Sequence, residues 1–386
     1  MNLLKVKTLV LKRFQNIRNY KGIRRYFFNT SWLLVEKIMR LVAGVLVGIW
    51  MAKYLGPKSF GIFSYSLSFV AILGPVAKLG LDHIVVRDLT KYPDKRDEYI
   101  GTAFWLKIIG AVVLLFMIAV TVRATSNDDV TNLYIFIIAS GVVFQSFDVV
   151  DFYFQSKVLN KYVSICKIMQ LGISSVLKIA LILLDAGLFW FVLITLIDNI
   201  FLALALLFAY HRQKIGRFWG GFSFNVAKQL LSASWPLALT SYATMLFMHL
   251  DKVMIKEMLG AEEVGYYAAA VKISEAYYFL PLVIGTSLFP AIINAKSISE
   301  SLYLKRLQNL HVLLVWMAII IALVVTFTGQ ALIDLLFGVA YAPAGEVLII
   351  HVWAGVFVAL SIASKKWFIV EGLQHLLLIR ALVSTA

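Results

Sequence analysis

Apolar runs of about 20 residues, the length that crosses a bilayer core, recur along this chain with short polar stretches between them. They predict spanning helices over 29–53, 58–81, 100–123, 132–154, 163–184, 187–209, 229–258, 264–293, 308–328 and 345–364, with an eleventh starting near 370. The runs stay apolar instead of alternating, which excludes a β-barrel. The expected fold class is all-α, a polytopic membrane protein.

A repeat organises these helices. Leu55-Gly56 followed by Gly61 and Phe63 has the same spacing as Leu259-Gly260 followed by Gly265 and Tyr267, 204 positions on. Upstream, Ser31-Trp32 and Ser234-Trp235 are offset by 203. Two copies of a helix–tight turn–helix unit account for this. Six helices, an even number, separate the copies, so the halves run parallel about an axis along the membrane normal. The implied domains are an N-terminal segment (1–28), a six-helix bundle (29–209), a linker (210–228) and a second bundle (229–386). Adding 204 to the sixth helix places its counterpart's end near 413, past residue 386. The second bundle is therefore expected to be incomplete against a twelve-helix plan.

Composition agrees with the pattern. Hydrophobic residues make up 61% of the 386, above the roughly 45–50% of soluble domains. A net charge of +15 would suit a nucleic-acid binder, but its distribution points to membrane orientation instead. Loops on the N-terminal side carry 24 Lys and Arg, counting eight from the N-terminal segment; the opposite loops carry four, Lys53, Lys58, Arg123 and Lys256. That asymmetry places the N-terminus in the cytoplasm. No nucleic-acid partner is expected. Residues 1–28 hold eight bases and no acid, the pattern of a basic amphipathic helix on an anionic leaflet; a partner-binding arm is the alternative. The segment lacks the uninterrupted apolar centre of a signal peptide. A cysteine at position 215, in a background without Cys166, is expected to resist an impermeant thiol reagent applied to intact cells. Labelling from outside would invert the topology.

Little here supports chemistry on bonds. The one cysteine, Cys166, reads as an apolar filler, and the six histidines are scattered with no metal-ligand spacing. Neither a metal nor a cofactor is expected, and no enzyme activity. The informative residues are charges within the predicted helices. Eight are basic: Lys37, Arg40, Lys78, Lys107, Lys178, Lys252, Lys272 and Arg380. A charge at the bilayer centre costs about 2.5–3.5 kcal/mol on insertion scales, so such groups face a cavity or a partner unless they snorkel. Lys78, Lys107, Lys178 and Lys252 lie close enough to helix ends to snorkel. Arg40 and Lys272 lie deepest, one in each half. Acids accompany them. Glu36 and Arg40 are spaced for pairing on one helical face. Asp251 and Lys272 fall at similar depth on consecutive helices, where an ion pair is one expectation. Glu275 sits one turn deeper, Asp148 and Asp151 share a face of the fourth helix, and Asp198 is in the sixth. Pro75, Pro236 and Pro281 are candidate kinks or hinges.

These residues carry a family resemblance. Tyr54-Leu55-Gly56-Pro57 with Phe60-Gly61, Gly80-Leu81 before Arg87, Phe154-Gln155, and Asp251-Lys252-Val253-Met254-Ile255 through Glu263-Val264-Gly265-Tyr266-Tyr267 to Lys272-Ile273 together resemble the polysaccharide and O-antigen repeat-unit flippases of the multidrug/oligosaccharidyl-lipid/polysaccharide superfamily. The resemblance implies a bacterial inner-membrane flippase that moves undecaprenyl-diphosphate-linked oligosaccharide to the outer leaflet by alternating access. Its expected partners are that lipid-linked glycan, the bilayer, H+ or Na+ as coupling ion, and other polysaccharide-assembly membrane proteins. Arg40, Lys272, Lys37, Lys78, Lys107 and Lys178 would then form a cationic substrate cavity. Asp251, Glu275, Glu36, Asp148 and Asp198 would couple ions or pair with bases. The rival readings are a lipid-linked peptidoglycan precursor flippase, a multidrug/cation antiporter, and a membrane-embedded glycan polymerase.

Overall fold

The computed structural model describes residues 21–213, 219–296, 298–371 and 373. The basic segment before residue 21, and the eleventh helix with Arg380, lie outside the described residues. Regular structure within them is helical throughout. The chain is an all-α polytopic membrane protein.

Helix α1 (Lys21–Lys78) is two spans joined by a turn. Its 58 residues would reach about 87 Å if straight, far beyond one crossing, and it turns at Gly56, where φ is 73° and ψ 168°. That left-handed φ costs a glycine little, and Pro57 follows at the first helical position, where its fixed φ is already suitable. Then come α2 (Leu81–Lys91), α3 (Arg96–Thr121), α4 (Asp129–Phe144), α5 (Val149–Ser156), α6 (Asn160–Leu183) and α7 (Leu188–Arg212). Past the linker lie α8 (Phe224–Leu259), α9 (Ala261–Ala276), α10 (Phe279–Lys296), α11 (Glu300–Leu336), α12 (Pro343–His351) and α13 (Ala354–Val370). Seven stretches are long and apolar enough to cross a membrane. These correspond to seven of the ten spans that the apolar runs predict; the two arms of α1 and helix α8 stand at the other three positions along the chain.

The repeat is visible in the backbone. Gly260, between α8 and α9, takes φ 107° and performs the turn that Gly56 performs in the first half. Helix α11 starts at Glu300, 204 residues after Arg96 starts α3. Differences from the predicted spans also recur. The fourth span tightens to a 3-10 turn at Gln145–Asp148, and the tenth breaks between His351 and Ala354. The eighth breaks between Ala276 and Phe279. Pro281 explains that break: it lacks the N–H that would bond the Tyr277 carbonyl, and its ring crowds that carbonyl. The two breaks touch, since the Tyr277 hydroxyl donates to the Val352 carbonyl at 2.9 Å. The other two kink candidates behave differently. Pro75 is buried in the last turn before α1 ends at Lys78, and α8 continues unbroken through Pro236. Helix α2, read as loop from sequence, is a surface helix that buries Leu81, Ile84, Val85 and Leu89.

Three apolar cores show how the halves meet. One, at the end carrying the Gly56 and Gly260 turns, draws on both halves: Phe60, Tyr65 and Ile135 pack with Val264, Ala269, Tyr341 and Leu348. At the linker end the cores are separate. One joins α2, α3, α5 and the start of α8 through Leu81, Ile100, Val150 and Leu230. The other joins α10, α11 and α13 through Ile292, Leu310 and Ala363. The halves are thus sealed at the turn end and have separate cores toward the linker end, where among the described residues α8 still packs against the first half from Val226 to Tyr242.

The seal is the repeat meeting itself. A Cβ on Gly61 would lie 2.9 Å from the Gly265 nitrogen, and one on Gly265 would lie 2.7 Å from the Pro57 carbonyl carbon. Backbone therefore rests on backbone, with Gly61 facing its own counterpart. Polar bonds lock the rim: Glu257 accepts from the Ser126 hydroxyl at 2.7 Å and the Tyr65 hydroxyl at 3.4 Å, and the Tyr341 hydroxyl donates to the Ala52 carbonyl at 2.7 Å.

Candidate functional site

Two turns of α1 bring the first charges together. Glu36 and Arg40 are one helical turn apart, and Arg40 Nε donates to Glu36 Oε1 at 2.8 Å. Glu36 is buried while the Arg40 side chain is 48% exposed, so the guanidinium keeps donors facing a cavity. That cavity, about 480 Å³, lies within the first half. Arg40, Glu36 and Lys78 line it with Asp82, His83, Gln145, Asp148, Asp151, Gln155, Lys167, Gln170 and Asn199. The 3-10 turn at Gln145–Asp148 leads into α5, and Asp148 and Asp151, three residues apart, both line the cavity. Each carboxylate finds a cation: Lys107 Nζ lies 3.4 Å from Asp148 and Lys167 Nζ 2.7 Å from Asp151. Lys107 is buried and also lies 4.9 Å from the Phe152 ring centroid. Deeper along α6, Lys178 pairs with Asp198 at 3.6 Å, and the Ser174 hydroxyl donates to the same carboxylate at 2.7 Å. Lys37 is exposed and is not among the residues lining this cavity.

Lys272 is placed differently. It rises from α9 in the second half and lays its ammonium against Gly48 of α1, in the first half. A side chain at position 48 would occupy the same space. The ammonium sits 6.0 Å from the Phe60 ring centroid. Among the described residues no carboxylate pairs with it. Gly48 is eight residues from Arg40, about 12 Å along α1. Lys272 is therefore an uncompensated cation where the halves meet, above the polar cavity.

The expected Asp251–Lys272 pair does not form. Asp251 instead accepts from the Tyr267 hydroxyl, and from the Lys252 backbone N–H at 2.7 Å. Register is the reason. Asp251 lies nine residues before Gly260, and its level on the returning helix is nine residues after it. Lys272 is three residues further, about 4.5 Å. Glu275, one turn beyond Lys272 on α9, is exposed. His351, not selected from sequence, joins this group: its Nδ1 lies 2.7 Å from the Ser274 hydroxyl, and its ring meets Tyr267 edge-on at 5.8 Å. A single histidine in an apolar helix carries no spacing signal, so only the fold reveals it.

Of the six cations expected to line one cavity, Arg40 and Lys78 share the first-half cavity. Lys107 and Lys178 are tied to acids, Lys37 is exposed, and Lys272 stands at the seam. The arrangement can bind an anion at the seam and hydrogen-bond a polar solute below it. The family model described as "Polysaccharide biosynthesis protein" matches residues 27–297. Solved structures share the fold. An inward-facing conformation of a multidrug resistance MATE family transporter of the MOP superfamily is 15% identical, with TM-score 0.63, over 92% of this chain and 88% of that one. A MATE transporter in complex with MaL6 is 14% identical, with TM-score 0.58, over 92% and 85%. A Vibrio cholerae MATE transporter mutant is 15% identical, with TM-score 0.51, over 90% and 86%. No curated protein matches this chain.

Proposed function

This chain belongs to the polysaccharide biosynthesis protein family, and on that premise we propose that it carries a polyprenyl-diphosphate-linked oligosaccharide from the cytoplasmic to the outer leaflet. The observation that carries the proposal is Lys272, a cation with no carboxylate partner among the described residues, at the seam between two halves whose cores separate below it. An anionic diphosphate supplies the charge that the protein withholds. Arg40, about two helical turns nearer the linker, adds guanidinium donors suited to phosphate. The amide, carboxylate and ammonium groups of the first-half cavity match the hydroxyl groups of a sugar, and the lipid tail stays in the bilayer. The basic loops support a cytoplasmic linker end, and on this reading the separate cores there face the side where the substrate is made. Asp251 with Tyr267, Glu275 and Asp198 are the acids proposed to couple transport to H+ or Na+.

A second reading has one observation in its favour. The first-half cavity holds Glu36, Asp82, Asp148 and Asp151, and such acids suit an antiporter of cationic drugs. One experiment separates the readings. In cells depleted of the protein, radiolabelled lipid-linked repeat units should accumulate on the cytoplasmic leaflet, and restoring the chain should return surface polymer. If depletion leaves polymer unchanged and raises sensitivity to cationic drugs, the antiporter reading stands instead.

A further inference from the structure

A groove on the first half lies away from the seam, between α6 and α7, with a volume of about 830 Å³. That is within the range of about 300–1,000 Å³ typical of small-molecule sites. Its walls are apolar: Ile165, Met169, Leu204 and Phe208 line it, and the last three are exposed. One rim is not apolar. Lys161 in the first turn of α6 and Arg212 in the last turn of α7 both line the groove at the linker end. Lys161 lies 5.8 Å from the Trp32 ring, and among the described residues neither cation has a carboxylate partner.

We propose that this groove binds an anionic glycerophospholipid of the leaflet at the linker end, with its phosphate between Lys161 and Arg212 and an acyl chain along Ile165, Met169, Leu204 and Phe208. Depth fits one leaflet. From Phe201 to Arg212 the groove follows α7 for about 16 Å, half of a hydrocarbon core of about 30 Å. Charge fits as well. Arginine and lysine at an anionic surface each strengthen attachment, and these two sit at the headgroup end. The groove opens on the lipid-facing side of α6 and α7, so its occupant need not pass through the seam to reach it. A bound lipid here would brace the two helices that present Lys178 and Asp198.

Native mass spectrometry of the full chain in detergent, titrated with defined lipids, tests this. Phosphatidylglycerol is expected to bind in preference to phosphatidylcholine. The double variant Lys161→Gln with Arg212→Gln, both surface positions, should weaken phosphatidylglycerol binding by about ten- to thirtyfold, the loss of two cations facing an anionic headgroup. It should leave phosphatidylcholine binding unchanged. Leu204→Asn, on the exposed wall, should weaken both. Equal binding of the two lipids by the unmodified chain would overturn the proposal, as would a double variant that keeps the preference. Displacement of phosphatidylglycerol by equimolar undecaprenyl phosphate would also overturn it, in favour of an entry site for a polyprenyl carrier.

Discussion

Lys272→Ala is expected to lower polysaccharide export by about ten- to a hundredfold while leaving the protein in the membrane at normal or raised abundance. The first number follows from losing one charge-assisted hydrogen bond to a phosphate, worth about 1.5–3 kcal/mol. The second follows from the absence of a partner. A paired buried cation, when truncated, leaves an orphaned carboxylate and destabilises the fold. Lys272 leaves none, because Asp251 is held by Tyr267 and Asp198 by Lys178 and Ser174. Removing an uncompensated charge, costly within a bilayer, should if anything stabilise the protein. A structural lysine would show the opposite pattern, with abundance falling and transport per molecule unchanged. Arg40→Ala makes the contrast. It strips buried Glu36 of its partner, so abundance should fall along with export. Arg40→Lys should recover part of both, since it keeps the charge and loses the planar fork. Glu at either position should not recover export. Asp251→Asn combined with Lys272→Gln should remain inactive, because the two side chains do not form a pair whose joint neutralisation would restore anything. Surface polymer and membrane-fraction abundance, measured on the same cultures, decide the matter. Normal polymer from Lys272→Ala and Arg40→Ala at normal abundance would remove the cationic site from the mechanism.

The legible part of this protein is its local part. Twenty-residue apolar runs specify spans because lipid demands internal backbone bonding, and the Leu-Gly turn signals itself because only glycine takes φ 73° or 107° without strain. The Glu36–Arg40 contact was legible too, since one helical turn fixes it. Contacts between helices were not. Lys107 reaches Asp148 across 41 positions and Lys178 reaches Asp198 across 20, distances in sequence that periodicity does not encode. Asp251 and Lys272 look level in sequence because hydropathy marks span ends only approximately; the turn at Gly260 sets the true register three residues away. Gly48 held no message as a sequence letter. Its role appears only when a lysine from the other half arrives against it. Helix α2 was missed for a related reason: eleven residues with Leu81, Ile84, Val85 and Leu89 on one face are too short and too charged to resemble a span, although their spacing is helical.

The repeated glycines lead to the second large effect. Gly61→Val and Gly265→Val are each expected to abolish export in a protein that still inserts and folds. Each added Cβ would meet backbone of the opposite half, Gly265 and Ala261 in one case and Pro57 in the other, and backbone has no rotamer by which to yield. Forcing extra atoms into such a contact costs about 1–3 kcal/mol. The cost falls on the conformation sealed at the turn end and on no conformation in which that seal is open. A differential of that size shifts the balance between the two by about 5–150-fold, enough to hold the transporter open at the turn end. Ala52→Cys in a background without Cys166 provides the readout, because Ala52 is fully buried beneath the seal and bonded to Tyr341 through its carbonyl. With Gly61→Val present, this cysteine should react with an impermeant maleimide applied from outside; with Gly61 intact it should react slowly. Gly44→Ala, on the same helix but with nothing within 4 Å of the added Cβ, should transport normally and label slowly. Glu257→Gln gives a graded version, since it weakens the rim contacts to Ser126 and Tyr65 without touching the glycine contact, and should raise labelling less than Gly61→Val does. The seal fails as the closing surface of transport if Gly61→Val transports normally, or if its cysteine remains as protected as that of the Gly44→Ala control.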